Sequence, residues 1–221
     1  MKRQLLVFLV TAMALLVGCD DQAPYGSNEA KGSSGRSLNT SRDKIAKSIN
    51  PQDASVRGLA VRLSSMDPTA SVKENNLLNK AAIIHAFLCN EWKYVEDPSL
   101  AEYVASARET IDANYTGDCD DFSVLLASLL EAVGIETRIV LAFRDSDNIG
   151  HAFVEANFGH DQNTLSRLQN AGGRSTYRKD RHGNIWINFD WTGNIPGGEF
   201  FYSDTQWIYD TQQDKWYLLE R

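Results

Sequence analysis

This sequence has few cysteines, no long hydrophobic run and fewer basic than acidic residues. The three cysteines, Cys19, Cys89 and Cys119, cannot form a disulfide framework, and without a CxxC spacing they do not predict a thiolate zinc site. With 22 Lys and Arg against 29 Asp and Glu, the net charge of −7 argues against a nucleic-acid binder, because phosphate contacts need clustered cations. The length of 221 residues and the 43% hydrophobic content instead predict a folded domain with a normal core.

The first apolar segment of the chain, within residues 1–18, is typical of an export signal. Lys2 and Arg3 precede about 13 apolar residues, a run too short to span a bilayer as a stable helix. The run ends at Gly18-Cys19, which resembles the lipobox of bacterial lipoproteins, in which Cys19 becomes the lipidated first residue after cleavage. Two alternatives stay open: an ordinary signal peptide with an incidental cysteine, and an uncleaved anchor.

The lipobox resemblance implies a protein of the bacterial cell envelope that is held by a lipid at Cys19 on the periplasmic side. Asp20, directly after this cysteine, resembles an inner-membrane retention signal and favours the inner membrane. Residues 19–43 are mostly small and polar, which predicts a flexible tether. Residues 44–221 are then the folded domain.

Hydrophobic periodicity places the helices before the strands. Helical spacing covers, in chain order, residues 45–49, 54–65, 75–92, 99–113 and 118–133. Alternating or β-branched segments follow at residues 136–143, 151–158, 184–191, 206–209 and 215–219. This order predicts an α+β domain with an antiparallel sheet.

Three residues on these predicted elements have side chains suited to acyl transfer. Cys119 begins the strongest predicted helix, where the partial positive charge of the helix N-terminus favours a thiolate. His151 and Asp190 lie on the more polar faces of two predicted strands. A histidine can take the thiol proton, and an aspartate can orient the imidazole. The carboxylates of Asp118 and Asp120, which flank Cys119, oppose thiolate formation.

Each of these residues also has an alternative interpretation. Cys119 lies on the apolar stripe of its helix, and a cysteine there can be a buried core residue. Asp145 or Asp147 could take the place of Asp190 as the partner of His151.

The remaining cysteine and histidines of the predicted domain are not expected to belong to the catalytic site. Cys89 and His85 lie among apolar residues of the helix predicted at residues 75–92, so we expect both to pack in the core. His160 and His182 lie in a polar stretch and are expected to be exposed.

Four stretches of the sequence together resemble the transglutaminase-like superfamily. Residues 117–130 (GDCDDFSVLLASLL) are similar to its nucleophile helix, residues 150–155 (GHAFVE) to its histidine strand and residues 186–192 (WINFDWT) to its aspartate strand. Residues 92–98 (WKYVEDP) are similar to the segment that precedes the nucleophile. The likeness covers roughly residues 75–195.

The resemblance implies a papain-like α+β fold and a triad of Cys119, His151 and Asp190 that acts on a protein or peptide amide through a thioester at Cys119. Water as the acyl acceptor would make the protein a protease or amidase, which is slightly favoured, and an amine would make it a crosslinker. The resemblance also implies an oxyanion stabiliser, for which the Cys119 N–H and the segment from Trp92 to Tyr94 are candidates. The alternatives from another class are a catalytically silent binding or scaffold module, and a lipoprotein whose tether is the main functional part.

The acidic residues around Cys119 allow a metal site. Some periplasmic cysteine proteases of this superfamily resemble the sequence at Asp118 and Asp120 and use calcium, a cation that prefers hard oxygen ligands. Capping of the helix by Asp118, with Asp121 three residues on, is the simpler account. No other cofactor is expected.

Residues 159–183 lengthen the gap between His151 and Asp190 beyond the family norm. This insert contains five basic residues, Arg167, Arg174, Arg178, Lys179 and Arg181. It either covers the cleft and binds an acidic group of the substrate, or it is a solvated surface loop.

Overall fold

A computed structural model of the chain describes residues 36–66, 77–97, 103–160, 162–170, 176–193 and 195–219. The predicted signal peptide, Cys19, Asp20 and the first part of the predicted tether lie outside the described residues. Within the described part of the chain, no helix is both long enough and apolar enough to cross a membrane.

The protein has the α+β architecture that the sequence predicts. Helices α1 to α6 cover, in chain order, Arg36–Ser48, Ala54–Ser64, Leu77–Glu91, Ala107–Asp112, Cys119–Ala132 and Gln162–Asn170. Strands β1 to β8 cover Lys93–Tyr94, Thr116–Gly117, Thr137–Arg144, Ile149–Asn157, Tyr177–Lys179, Ile185–Phe189, Thr205–Asp210 and Lys215–Leu218. The last six strands form an antiparallel sheet in the order β5-β6-β4-β3-β7-β8, and β1 pairs with β2 in parallel.

Local capping signals explain where several helices begin and end. The Asp53 carboxylate accepts a hydrogen bond from the N–H of Ser55 at 2.8 Å and begins α2. Ser106 forms a capping box with Glu109 and begins α4. Helix α5 ends just before Gly134, whose φ of +81° suits a residue without a Cβ atom.

Two of the predicted helices differ from the observed ones. The helix expected at residues 99–113 is wrong in its first described part, because residues 103–106 are not helical and the cap at Ser106 delays the start of α4. The short helix expected at residues 45–49 is instead α1, which begins at Arg36. Residues 36–43 of the predicted tether are therefore helical, and Ile45 anchors α1 in the core at 1% exposure.

Helix α5 lies at the centre of the main hydrophobic core. It packs on β3 and β4 on one side and on α2, α3 and α4 on the other. All of its residues 121–130 are therefore buried, as expected for a helix surrounded by protein. This packing places the first residue of α5, Cys119, against the sheet.

The opposite face of the sheet, which the sequence marks as the more polar one, is also covered. A second apolar cluster there contains Val140, Ala142, Phe153 and Ile208. Glu155 on the same face is completely buried. The Glu155 carboxylate therefore interacts with protein groups, among them Arg138, rather than with water.

The insert of residues 159–183 extends the sheet. It contains α6 and β5, and β5 pairs with β6 at the edge of the sheet. Leu168 of α6 is buried at 2% exposure, so the described part of the insert is not simply a solvated loop. Arg174 lies outside the described residues, and Arg178 points to Glu155, with 3.1 Å between Nη1 and Oε1. His160 and His182 are exposed, as predicted.

Candidate functional site

The structure brings Cys119, His151 and Asp190 to one place. His151 lies on β4, Asp190 directly follows β6, and these two strands are neighbours in the sheet. The Nε2 atom of His151 lies 2.7 Å from Oδ2 of Asp190. Cys119 and His151 line the same pocket, which has a volume of about 250 Å³.

The contact with Asp190 defines the proton position on His151. A carboxylate only accepts hydrogen bonds, so Nε2 of His151 carries the ring proton and Nδ1 is left for another partner. Asp190 is itself held in place, because its Oδ1 accepts the N–H of Thr192 at 3.0 Å and only 4% of the residue is exposed. Asp147, one of the two alternative partners, pairs instead with Arg144 at 2.7 Å, and the backbone N–H of Asp145, the other, donates to Asp204.

The thiol of Cys119 has both unfavourable and favourable neighbours. Burial is the largest influence and raises the pKa of Cys119, and the charges of Asp118 and Asp120 raise it further. The backbone N–H of Ala152 donates to the sulfur and opposes this rise. The unfavourable effect of Asp118 and Asp120 on the Cys119 thiolate, which the sequence indicates, is therefore present in the structure.

Helix capping accounts for two of the three carboxylates next to Cys119. Asp118 Oδ1 accepts the N–H of Asp120 at 3.2 Å, and Asp121 accepts the N–H groups of Asp118 at 3.3 Å and Ala105 at 2.7 Å. Oδ1 of Asp120 is buried and has no hydrogen-bond partner among the described residues. Burial and the neighbouring acids raise the pKa of Asp120 to about 10.

These three carboxylates also form a group that could hold a cation. One oxygen from each of Asp118, Asp120 and Asp121 lies within 4.8 Å of the others. Burial raises the pKa of Asp121 to about 6. Burial first, and repulsion between the neighbouring acids second, raise these pKa values, and a cation would offset the cost of charging the three groups. Carboxylate oxygens are ligands that suit calcium.

Gly117 lies so close to Asp121 that no side chain fits. A Cβ atom on Gly117 would lie 2.7 Å from the Cβ of Asp121. We therefore expect Gly117→Ala to displace Asp121 and to lower the free energy of unfolding by about 1–3 kcal/mol, the usual cost of overpacking. Urea denaturation measures this loss. Gly58→Ala on α2 is the control, since its Cβ would meet nothing within 4 Å and alanine favours a helix. Equal stability of the two variants would contradict the explanation.

The two residues predicted near the oxyanion both lie beside the start of α5. Strand β1 pairs with β2, so Tyr94 is opposite Gly117, two residues before Cys119. The Trp92 ring packs edge-on against Phe122 with 5.0 Å between centroids, and its Nε1 is buried without a hydrogen-bond partner in the described structure. Burial and the nearby charge of Cys119 raise the pKa of Tyr94, whose ring stacks on Trp191.

Several residues that line the pocket were missed in the sequence. Ser41 and Ile45 of α1 form one side, and Leu141 and Phe143 of β3 form another. Phe201 packs against the His151 ring with 5.1 Å between centroids. The apolar character of Ile45, Leu141 and Phe143 is typical of buried residues, but nothing in the local pattern indicated which cavity they would line. None of the described residues of the insert lines the pocket, so the hypothesis that the insert covers the cleft is not supported.

The comparison with protein-family models agrees with this fold. The model of the transglutaminase-like superfamily core matches residues 66–191. No curated protein matches the chain. Similar solved structures include a Cytophaga hutchinsonii protein that was proposed to be a cysteine protease, at 18% identity and a TM-score of 0.42. A Parabacteroides distasonis protein, proposed to be a protease, has 15% identity and a TM-score of 0.46. LapG of Legionella pneumophila, which was also solved with calcium bound, has 18% identity and a TM-score of 0.42.

These similar structures differ from the chain in length. The alignments cover 78% of this chain and 50% of the Cytophaga protein, and 91% of this chain and 35% of the Parabacteroides protein. For LapG the coverage is 70% of this chain and 75% of LapG. The chain therefore spans half or less of the first two proteins. Because the family model matches more than half of the chain, this protein belongs to the transglutaminase-like superfamily.

Proposed function

We propose that this protein is a cysteine hydrolase that cleaves an amide bond of a protein or peptide through a thioester at Cys119. In this proposal His151 is the general base and acid, and Asp190 orients it. The observation that supports the proposal most directly is the 2.7 Å contact between His151 Nε2 and Asp190 Oδ2, beside the pocket that Cys119 lines.

The proposed reaction has two halves. Nδ1 of His151 takes the thiol proton while the sulfur of Cys119 attacks the amide carbon, and the same proton then passes to the leaving amine. The carboxylate of Asp190 stabilises the imidazolium that exists between these steps. The Cys119 N–H and Nε1 of Trp92 are the candidate donors to the oxyanion. Water, activated by Nδ1, then hydrolyses the thioester and restores the thiol.

The rate of thiol alkylation tests the assignment of the nucleophile. Cys89 serves as the reference thiol, because Cys89 and Cys119 are both partly buried and neither forms a disulfide. With iodoacetamide at pH 7, we expect Cys119 to react at least about tenfold faster than Cys89, because His151 can take the proton of Cys119, whereas burial lowers the pKa of His85, the imidazole next to Cys89, to about 4. His151→Ala should remove the difference. Equal rates for the two cysteines in the wild-type protein, measured by mass spectrometry, would overturn the assignment.

The second candidate function is a silent binding module, and the raised pKa of Cys119 is the observation that favours it. Under this alternative the pocket binds a peptide without cleaving it. The alkylation experiment separates the two candidates. A reaction of this protein with a peptide substrate in the presence of an added amine then separates hydrolysis from transfer. Only transfer gives a product whose mass, measured by mass spectrometry, includes that of the amine.

We extend the proposal to calcium, which Asp118, Asp120 and Asp121 would hold. When bound, the cation would offset the negative charge that raises the pKa of Cys119. We expect calcium at 100 times its Kd to raise the free energy of unfolding by about 2.7 kcal/mol relative to chelator. Urea denaturation checks this, with Asp147→Asn at an exposed carboxylate as the control. If calcium raised the free energy of unfolding of Asp120→Asn as much as that of the wild type, the assignment of calcium to this site would be wrong.

The place of action is a proposal from the sequence. A lipid at Cys19 would hold the protein on the periplasmic side of the envelope, and Asp20 favours the inner membrane. The substrate would then be a protein or peptide of the envelope. Fractionation of cells that express Cys19→Ser, which should release the protein from membranes, tests this placement.

A further inference from the structure

Two residues on one face of α3 contact the backbone that carries Asp190. Nε2 of His85 lies 3.0 Å from the carbonyl oxygen of Asp190. One turn further along α3, the Cys89 sulfur lies 3.4 Å from the same His85 nitrogen and 3.9 Å from the carbonyl oxygen of Trp191. A helix that is distant in sequence therefore holds the chain at and just after Asp190.

The contact with Asp190 determines the form of the His85 ring. A carbonyl oxygen only accepts, so Nε2 of His85 donates and Nδ1 is the unprotonated nitrogen. Nδ1 is buried and has no hydrogen-bond partner among the described residues. Burial lowers the pKa of His85 to about 4. The ring is therefore neutral near pH 7, and it anchors the backbone without competing as a cation for the Asp190 carboxylate.

Two aromatic rings set the orientation of His85. Phe189, next to Asp190, meets the imidazole edge-on with 5.5 Å between centroids, and Phe122 of α5 meets it at 6.2 Å. Phe122 lies three residues after Cys119. His85 is completely buried and so links the element that carries Asp190 with the helix that carries Cys119.

Asp190 needs such an anchor because it lies just beyond the sheet. The last residue of β6 in the ladder is Phe189, which pairs with Val154. After it, the Asp190 carbonyl oxygen accepts one backbone N–H, from Gly193 at 3.2 Å within a short turn. His85 adds the contact that ties this turn to the core.

We propose that His85 is a positioning residue for the pair of His151 and Asp190. It holds the backbone of Asp190 so that the carboxylate stays on Nε2 of His151, and Cys89 supports it from the same helix. The proposal rests on the proposed function, in which this pair activates Cys119. His85 itself does not touch the reacting atoms.

The pH profile of Cys119 alkylation, recorded in excess chelator so that no cation occupies the neighbouring carboxylates, tests this role in the full chain. His85→Phe removes the donor but keeps a ring of similar shape, and we expect the midpoint of the profile to rise by about one pH unit. The rate at neutral pH should then fall about tenfold, since one pKa unit is a factor of ten. His85→Gln keeps an N–H donor and should restore most of the rate. If His85→Phe does not fold, His85→Met removes the donor with a more flexible side chain.

A matched control separates positioning from loss of stability. Ile84 is completely buried and adjacent to His85, but its side chain makes no hydrogen bond. Ile84→Ala should destabilise the core and leave the pH profile unchanged. A wild-type profile in folded His85→Phe, or an equal shift in Ile84→Ala, would overturn the proposal.

An NMR measurement keeps this inference distinct from the proposed function. The proton on Nε2 of His151, which is bound to a carboxylate, should give a low-field signal in the wild type and in His85→Gln but not in His85→Phe. If Cys119 reacts no faster than Cys89 but this signal follows the His85 variants, the nucleophile assignment fails while the positioning role stands. If the signal persists in His85→Phe, the positioning role fails regardless of the reactivity of Cys119.

Discussion

Cys119→Ser is expected to slow amide cleavage by about 10⁶-fold, the scale of loss when the nucleophile of a catalytic triad is removed. Serine keeps the size of the side chain and can still accept the Ala152 N–H, so the fold should be retained. Its hydroxyl ionises far less readily than a thiol and is the poorer nucleophile. The measurement is the rate at which new amino termini form in a peptide library, followed by mass spectrometry.

A control and a double variant make this prediction specific. Val61→Ser, at an exposed position on α2, should cleave at the wild-type rate. Residues that act as a unit give non-additive losses, so Cys119→Ser with His151→Ala should lose no more activity than Cys119→Ser alone. Cleavage of the same bonds by Cys119→Ser at a near wild-type rate would falsify the thioester mechanism.

Glu155→Gln is expected to lower the free energy of unfolding by about 3–5 kcal/mol, because it breaks a buried ion-pair network. Glu155 is fully buried, and its Oε2 lies 2.5 Å from Nη2 of Arg138. Nη1 of Arg178 lies 3.1 Å from Oε1, at ion-pair distance without hydrogen-bond geometry. The amide would leave two guanidinium groups without a counter-charge. The ring of Trp186, 4.2 Å from the Arg138 guanidinium carbon, can compensate only in part.

An exposed ion pair is the matched control for this loss. Asp147→Asn removes the partner of Arg144, and 42% of the Asp147 side chain is exposed, so we expect a much smaller loss of stability than in Glu155→Gln. Urea denaturation of both variants gives the comparison. Replacing Arg138 and Glu155 together with Met and Leu should cost less than Glu155→Gln, since no charge is then left unpaired. A loss in Glu155→Gln as small as in Asp147→Asn would refute the importance of the network.

Much of the fold was predictable because its signals are local. The apolar stripe of α5, the cap at Asp118 and the glycine at residue 134 all act within a few residues, and the observed helix matches the expected one. The alternating segments likewise became β3, β4, β6, β7 and β8. The helix expected at residues 99–113 failed at residues 103–106, where side-chain capping by Ser106 was stronger than the weak helical pattern.

The three candidate catalytic residues could also be named from the sequence, but the choice of Asp190 over Asp145 or Asp147 as the partner of His151 stayed open. Cys119, His151 and Asp190 lie in motifs that resemble a family, and their types fit one chemistry. The contact of His151 with Asp190 depends on β4 and β6 being neighbours, whereas the pairing of Asp147 with Arg144 is local. Strand order is a property of the whole sheet, and no local pattern carries it.

The sequence by itself determined the fold class, the order of the elements and the positions of the candidate nucleophile, base and aspartate, because periodicity, capping and motif spacing are written along the chain. Only the tertiary structure decided that α1 lines the pocket, that the insert extends the sheet and that His85 holds Asp190 from 105 residues away. These contacts join segments that lie far apart in sequence. They form only when burial of the shared core brings the helices and the sheet together.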